Sequence, residues 1–142
     1  MADDPQSVIP IESDADVVTA RQQARSMAGD LDLTSTDQTL LATAISEVAR
    51  NITTYAKRGE VELSVVHDDK GREGIKVIAR DHGPGIENLD LALQDGYTSG
   101  GGLGLGLPGA RRLVDDFHIE TAPGQGTTVT LVMWARPNAR AA

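Results

Sequence analysis

Apolar positions recur along this chain with two different periods, and the period changes near residue 60. Before that point the spacing is mostly helical. Val8, Ile9 and Ile11 surround Pro10, a pattern that suits a short edge strand. Ser13 or Asp14 can cap a first helix, along which Val17, Val18, Ala24, Met27 and Ala28 form a loose stripe. Gly29 and Asp30 loosen its end. Thr34, Ser35 and Thr36 offer caps for a second helix, on which Leu41, Ala44, Ile45, Val48, Ala49, Ile52 and Ala56 follow helical spacing. Lys57 and Arg58 are expected in its last turn, with Gly59 as its stop. Beyond residue 60 the period is two. Val61, Leu63 and Val65 alternate with polar residues, HDDKGREG reads as a hairpin turn, and Ile75, Val77 and Ala79 alternate again. A glycine-rich stretch then leads into a third helix expected over residues 108–117, with Leu113 and Val114 turned inward. Ile119 and Thr121 suggest a strand, APGQG a turn, and TTVTLVMW a last strand.

Three helices and about five strands result. Strands joined by a tight turn are antiparallel, and the helices are too few for a doubly wound parallel sheet. The expected fold class is an α/β two-layer sandwich: a mixed, largely antiparallel sheet with helices on one face. The expected limits are a disordered N-terminus over residues 1–7, one domain over residues 8–134 and a loose tail over residues 135–142.

Composition narrows the function. With 142 residues the chain has the size of one domain. It carries one Trp, two Tyr and one Phe, too few for a base-stacking platform. Its net charge is −8 and it has no basic run, so no nucleic-acid partner is expected. Cysteine is absent, which excludes disulfides, thiolate metal sites and cysteine nucleophiles. No membrane helix and no signal peptide can be read, and a cytoplasmic protein is expected.

Three stretches carry candidate chemistry. In EVARN, Glu47 and Asn51 lie four residues apart on the second helix, about 40° apart around its axis. An Asn oxygen suits a hard cation such as Mg²⁺, and a Glu one turn away can align or deprotonate a hydroxyl. Alone, the pair also fits a solvated helix face. In DHGPGI, Asp81 closes a strand beside Gly83 and Gly85, which permit close backbone approach. A carboxylate there can accept a hydrogen bond from an exocyclic amine, although the stretch is also rich in turn formers. The run GGGLGLGLPG, residues 100–109, opens the third helix with Pro108 in its first turn. Glycine N–H groups at a helix N-terminus suit a polyphosphate. The run is neither a Walker A loop nor a dinucleotide fingerprint. Leu103, Leu105 and Leu107 are wrong for a flexible linker.

The order and spacing of these stretches resemble the GHKL ATPase superfamily of gyrase, histidine kinases, mismatch-repair ATPases and a heat-shock chaperone. Glu47 and Asn51 match its N box, Asp81, Gly83 and Gly85 its first glycine box, and Gly102, Gly104 and Gly106 its second. Within that superfamily, AISEVARNI, DHGPGIENL and DGYTSGGGLGLGLPGARRLVDDF look like the RsbT-like switch kinases of bacterial partner-switching systems. The resemblance implies a histidine-kinase-like ATPase domain with the Bergerat ATP-binding fold, and a serine/threonine protein kinase as its activity. It implies ATP and Mg²⁺ as cofactors, with Mg²⁺ held by Asn51. Glu47 would be catalytic. Asp81 would meet the adenine amine, with Gly83, Gly85 and Ile86 around it. The backbone of Gly102, Leu103, Gly104, Leu105 and Gly106 would meet the phosphates, and Thr127 or Thr128 would lie near the adenine. Residues 88–101 would form a lid. The implied partners are a STAS-domain antagonist or scaffold protein as substrate and a PP2C-type phosphatase to be activated; a homodimer is compatible with the reading. The rival readings are an anti-sigma factor kinase and a nucleotide-sensing module without phosphoryl transfer.

Overall fold

A computed structural model describes residues 6–85 and 106–135. The elements run β1 (Ser7–Ile11), α1 (Asp14–Asp30), α2 (Ser35–Asn51), a π-helical turn (Ile52–Ala56), β2 (Gly59–His67), β3 (Glu73–Asp81), α3 (Gly106–Leu113), β4 (Asp116–Thr121) and β5 (Thr127–Trp134). The five strands form one sheet in the order β1-β2-β3-β5-β4. Every neighbouring pair is antiparallel, so the mixed sheet expected from the sequence is corrected to an antiparallel one among the described residues. Short turns join β2 to β3 and β4 to β5, and a short turn can only reverse the chain.

The alternation that marked the strands also sorts their faces. Ile9 and Ile11, Val61 and Leu63, Ile75, Val77 and Ala79, and Val129, Leu131 and Met133 are buried on one side. Both long helices cover that side: α1 packs against β1, β2 and β3, and α2 against β3 and β5. In α2 the apolar positions read from the sequence, Leu41, Ala44, Ile45, Val48 and Ala49, are all buried. Thr34 caps this helix by accepting the Asp37 N–H at 3.0 Å, which satisfies one of the unpaired first-turn donors. In α1 the buried row is Val17, Ala20, Ala24 and Ala28, at spacings of three and four. Val18, expected in that stripe, is 38% exposed instead, because it falls one position round the helix.

Two element ends differ from expectation. The α-helical part of α2 stops at Asn51; the chain then widens into the π-helical turn and leaves it at Lys57, with φ of 72°. Lys57 and Arg58 therefore lie outside the helix. Gly59 is the first residue of β2, not a helix stop, and a Cβ there would collide with the Arg80 carbonyl across the strand pair. Helix α3 ends at Leu113, and Phe117, expected in that helix, lies in β4 opposite Leu131. An apolar Phe between Asp116 and His118 fits either period, and pairing with β5 decides it.

Candidate functional site

Helix α2 carries Glu47 and Asn51, and its amphipathic face fixes where they emerge. Val48, Ala49 and Ile52 point into the core, so Glu47 and Asn51 stand at its rim. Glu47 is not solvated freely: its side chain is 10% exposed. Its Oε2 accepts the Gly106 N–H at 3.0 Å, and its Oε1 accepts a guanidinium N–H of Arg50 at 3.1 Å. Gly106, with φ of 68°, opens α3. The carboxylate thus meets the N-terminus of a helix, where the dipole favours negative charge. Two sequence-predicted residues, Glu47 and Gly106, are brought into direct contact across 59 positions.

The second half of the site is built where β3 ends. Asp81 is buried, and its Oδ1 accepts the Gly83 N–H at 2.9 Å. Gly83 has no room for a side chain: a Cβ would come within 2.6 Å of Ala56 Cβ. The π-helical turn that follows Asn51 therefore rests directly on the Asp81 loop. Ile52, in the same turn, lies against Gly59 and seals the other flank. In this way one continuous segment, α2 and its π-helical extension, links the Glu47–Asn51 pair to Asp81. A π-helical turn at a functional site is a recurrent arrangement.

Across the sheet, Asp81 pairs in register with Thr127, which is also buried. Thr128 pairs with Arg80 and faces the opposite side of the sheet, so Thr127 is the hydroxyl beside Asp81. Thr121 Oγ1 donates to the Gly126 carbonyl at 3.0 Å and lies 2.9 Å from Thr127 Oγ1. Having spent its hydrogen on a carbonyl, Thr121 accepts from Thr127. Thr127 then has its lone pairs left to accept.

The turn between β4 and β5 locks onto the Asp81 loop. Gly124 N–H donates to the Pro84 carbonyl at 2.7 Å. Gly85 and Gly126 have φ of 76° and 79°. A Cβ at Gly85 would strike the Ala122 carbonyl, and one at Gly126 the Asp81 carbonyl. Thr121, Gly126 and Arg50 touch the candidate residues and were not among those singled out from the sequence. APGQG was read only as a turn; its two glycines one residue apart were the available signal.

Of the remaining sequence-predicted residues, Ile86, Gly102, Leu103, Gly104, Leu105 and the lid at 88–101 lie outside the described residues. Among the described residues no cluster of three or more His, Asp or Glu could cage a metal. Asn51, half-buried at the rim of α2, offers an amide oxygen of the kind a hard cation takes.

Comparison with known proteins gives a consistent result. The family of histidine kinase-, DNA gyrase B- and HSP90-like ATPases matches residues 36–137. The serine/threonine-protein kinase RsbT of Bacillus subtilis is 43% identical over 131 residues, covering 92% of this chain and 98% of that protein. The anti-sigma F factor of Clostridium kluyveri is 33% identical over 118 residues, covering 79% of this chain and 81% of that one. Among solved structures, the RsbU and RsbW domains of Rv1364c from Mycobacterium tuberculosis superpose with a TM-score of 0.57 at 24% identity, covering 94% of this chain and 34% of that one. The mycobacterial sensor histidine kinase MprB also gives 0.57, at 20% identity, covering 93% of this chain and 99% of that one. These two likenesses concern the fold.

Proposed function

The chain belongs to the family of histidine kinase-, DNA gyrase B- and HSP90-like ATPases, and within it to the RsbT-like serine/threonine-protein kinases, and we propose that it transfers the γ-phosphoryl group of ATP to a serine of a STAS-domain antagonist or scaffold protein. The observation that carries this reading is the direct contact of Glu47 with the N-terminus of α3, on a helix whose extension rests on the Asp81 loop. One segment then serves the phosphates, the metal and the base.

In the proposed division of roles, Asp81 and Thr127 accept from the adenine side. The glycine run ending at Gly106 holds the phosphates. Asn51 binds Mg²⁺, which when bound neutralises phosphate charge. Glu47 aligns the serine hydroxyl and takes its proton as the serine oxygen bonds to the γ-phosphorus. The bond from that phosphorus to the bridging oxygen breaks, and ADP leaves. Little covalent chemistry is asked of the protein; positioning and charge neutralisation supply most of the effect.

The resemblance to RsbT-like kinases also supports a second role, activation of a PP2C-type phosphatase, in a cytoplasmic setting. Among the described residues no helix is long and apolar enough to cross a membrane. The likeness to anti-sigma F factors favours one rival, a kinase that binds a sigma factor directly. Incubation with labelled ATP and purified STAS-domain proteins tests the first reading. A labelled serine supports it, whereas capture of a sigma factor with no label on any STAS protein favours the rival.

A further inference from the structure

Both oxygens of Glu47 have a donor, and the two donors differ in kind. One is the Gly106 N–H at 3.0 Å, part of the helix end on which a polyphosphate would settle. The other is Arg50, whose side chain is 51% exposed and whose guanidinium lies 3.1 Å from Oε1. Arg50 follows Glu47 by three residues and Asn51 by four, so they flank the carboxylate on opposite sides, about 60° and 40° around the axis. A phosphoryl oxygen that takes the Gly106 N–H removes one of the two holds on Glu47. Repulsion between two anions then drives the carboxylate away, unless the other hold stays.

We propose, on the reading given under Proposed function, that Arg50 is a positioning residue for Glu47. It keeps the carboxylate directed at the acceptor hydroxyl once nucleotide has claimed the Gly106 N–H. Its cationic, planar fork suits this task better than an ammonium, which is a point charge on a flexible stem. Arg50 is half in water, and Glu47 keeps the Gly106 N–H when the guanidinium is removed, so the fold should tolerate its loss.

The experiment uses the full chain as wild type, Arg50→Ala, Arg50→Lys, Glu47→Gln and the double variant Glu47→Gln/Arg50→Ala. ATP affinity is measured by calorimetry and transfer to a STAS-domain acceptor in single turnover. Arg50→Ala should bind ATP within about twofold of wild type and transfer at least about tenfold more slowly, with Arg50→Lys between the two. The double variant should be no slower than Glu47→Gln alone, because a residue acting through Glu47 has nothing left to position. Losses that multiply in the double variant would overturn the proposal, as would an unchanged rate or a raised acceptor KM at constant kcat. If wild type labels no STAS protein, the proposed acceptor is wrong. The same five proteins are then compared in slow hydrolysis of ATP to ADP and phosphate, with water as acceptor. The same non-multiplying pattern is expected there, and multiplying losses would still overturn the role given to Arg50.

Discussion

Asp81 is buried and offers one oxygen to the Gly83 N–H, so the proposed adenine amine would meet a carboxylate of fixed orientation. Asp81→Asn replaces an acceptor by a donor and removes the charge. A charge-assisted hydrogen bond contributes about 1.5–3 kcal/mol, so ATP should bind at least about tenfold more weakly with the fold intact. Calorimetry giving wild-type affinity would remove Asp81 from the site. Glu47→Gln should behave differently, because it keeps the size and an acceptor oxygen for the Gly106 N–H. ATP binding should stay near normal while phosphoryl transfer falls by about 100-fold or more. Asn51→Ala should instead abolish the Mg²⁺ dependence of ATP binding, which a metal titration reads directly. The shared rim of Glu47 and Asn51 was legible in the sequence, since a carboxylate and an amide one helical turn apart lie on one side of any helix. Their neighbours were not. That Gly106 donates to Glu47, and that Thr121 turns the Thr127 hydroxyl, depends on contacts between elements that no local period encodes.

At the level of elements, the strands were legible and the joints were not. The pattern of β5 alternates buried and half-buried through all eight residues, as TTVTLVMW implied. The end of α2 was misread because apolar spacing continues to Ala56 while the backbone widens after Asn51. That widening lets Ala56 rest on Gly83 and so matters to the site. The β4–β5 turn gives a prediction with an internal control. Gly124 and Gly126 have nearly the same φ, 77° and 79°. A Cβ at Gly124 meets nothing within 4 Å, whereas at Gly126 it strikes the backbone of Asp81 and His82. Gly124→Ala should therefore cost only the left-handed strain, about 1–2 kcal/mol. Gly126→Ala should cost more and also weaken ATP binding, because it pushes the Asp81 loop away. Thermal unfolding together with ATP titration separates the two. Equal effects on both readouts would mean that the turn does not brace the site.

At the scale of the whole molecule, charge governs how this protein meets others. The chain carries a net charge of −8, and two adjacent cations, Arg111 and Arg112, lie exposed in the last turn of α3. Cations in a last helical turn complement the helix dipole, which by itself would account for them. Their position adds something else: α3 begins at Gly106, which touches the carboxylate proposed to receive the acceptor's proton. A basic patch one helix length from the reacting centre, on an otherwise acidic protein, is placed to guide an acidic edge of a protein substrate. Charges of this type act mainly on association rate and partner choice. Replacing both with Glu should slow association with the proposed STAS-domain substrate by about tenfold at low salt. The effect should shrink as salt shortens the screening length to about 8 Å near physiological strength. ATP affinity should change little, since the proposed nucleotide site is made by α2, the Asp81 loop and the start of α3 rather than its end. Surface plasmon resonance at two salt concentrations distinguishes the cases: a slowed, salt-sensitive association rate places docking beside α3. An unchanged rate would move the docking surface to another part of the molecule.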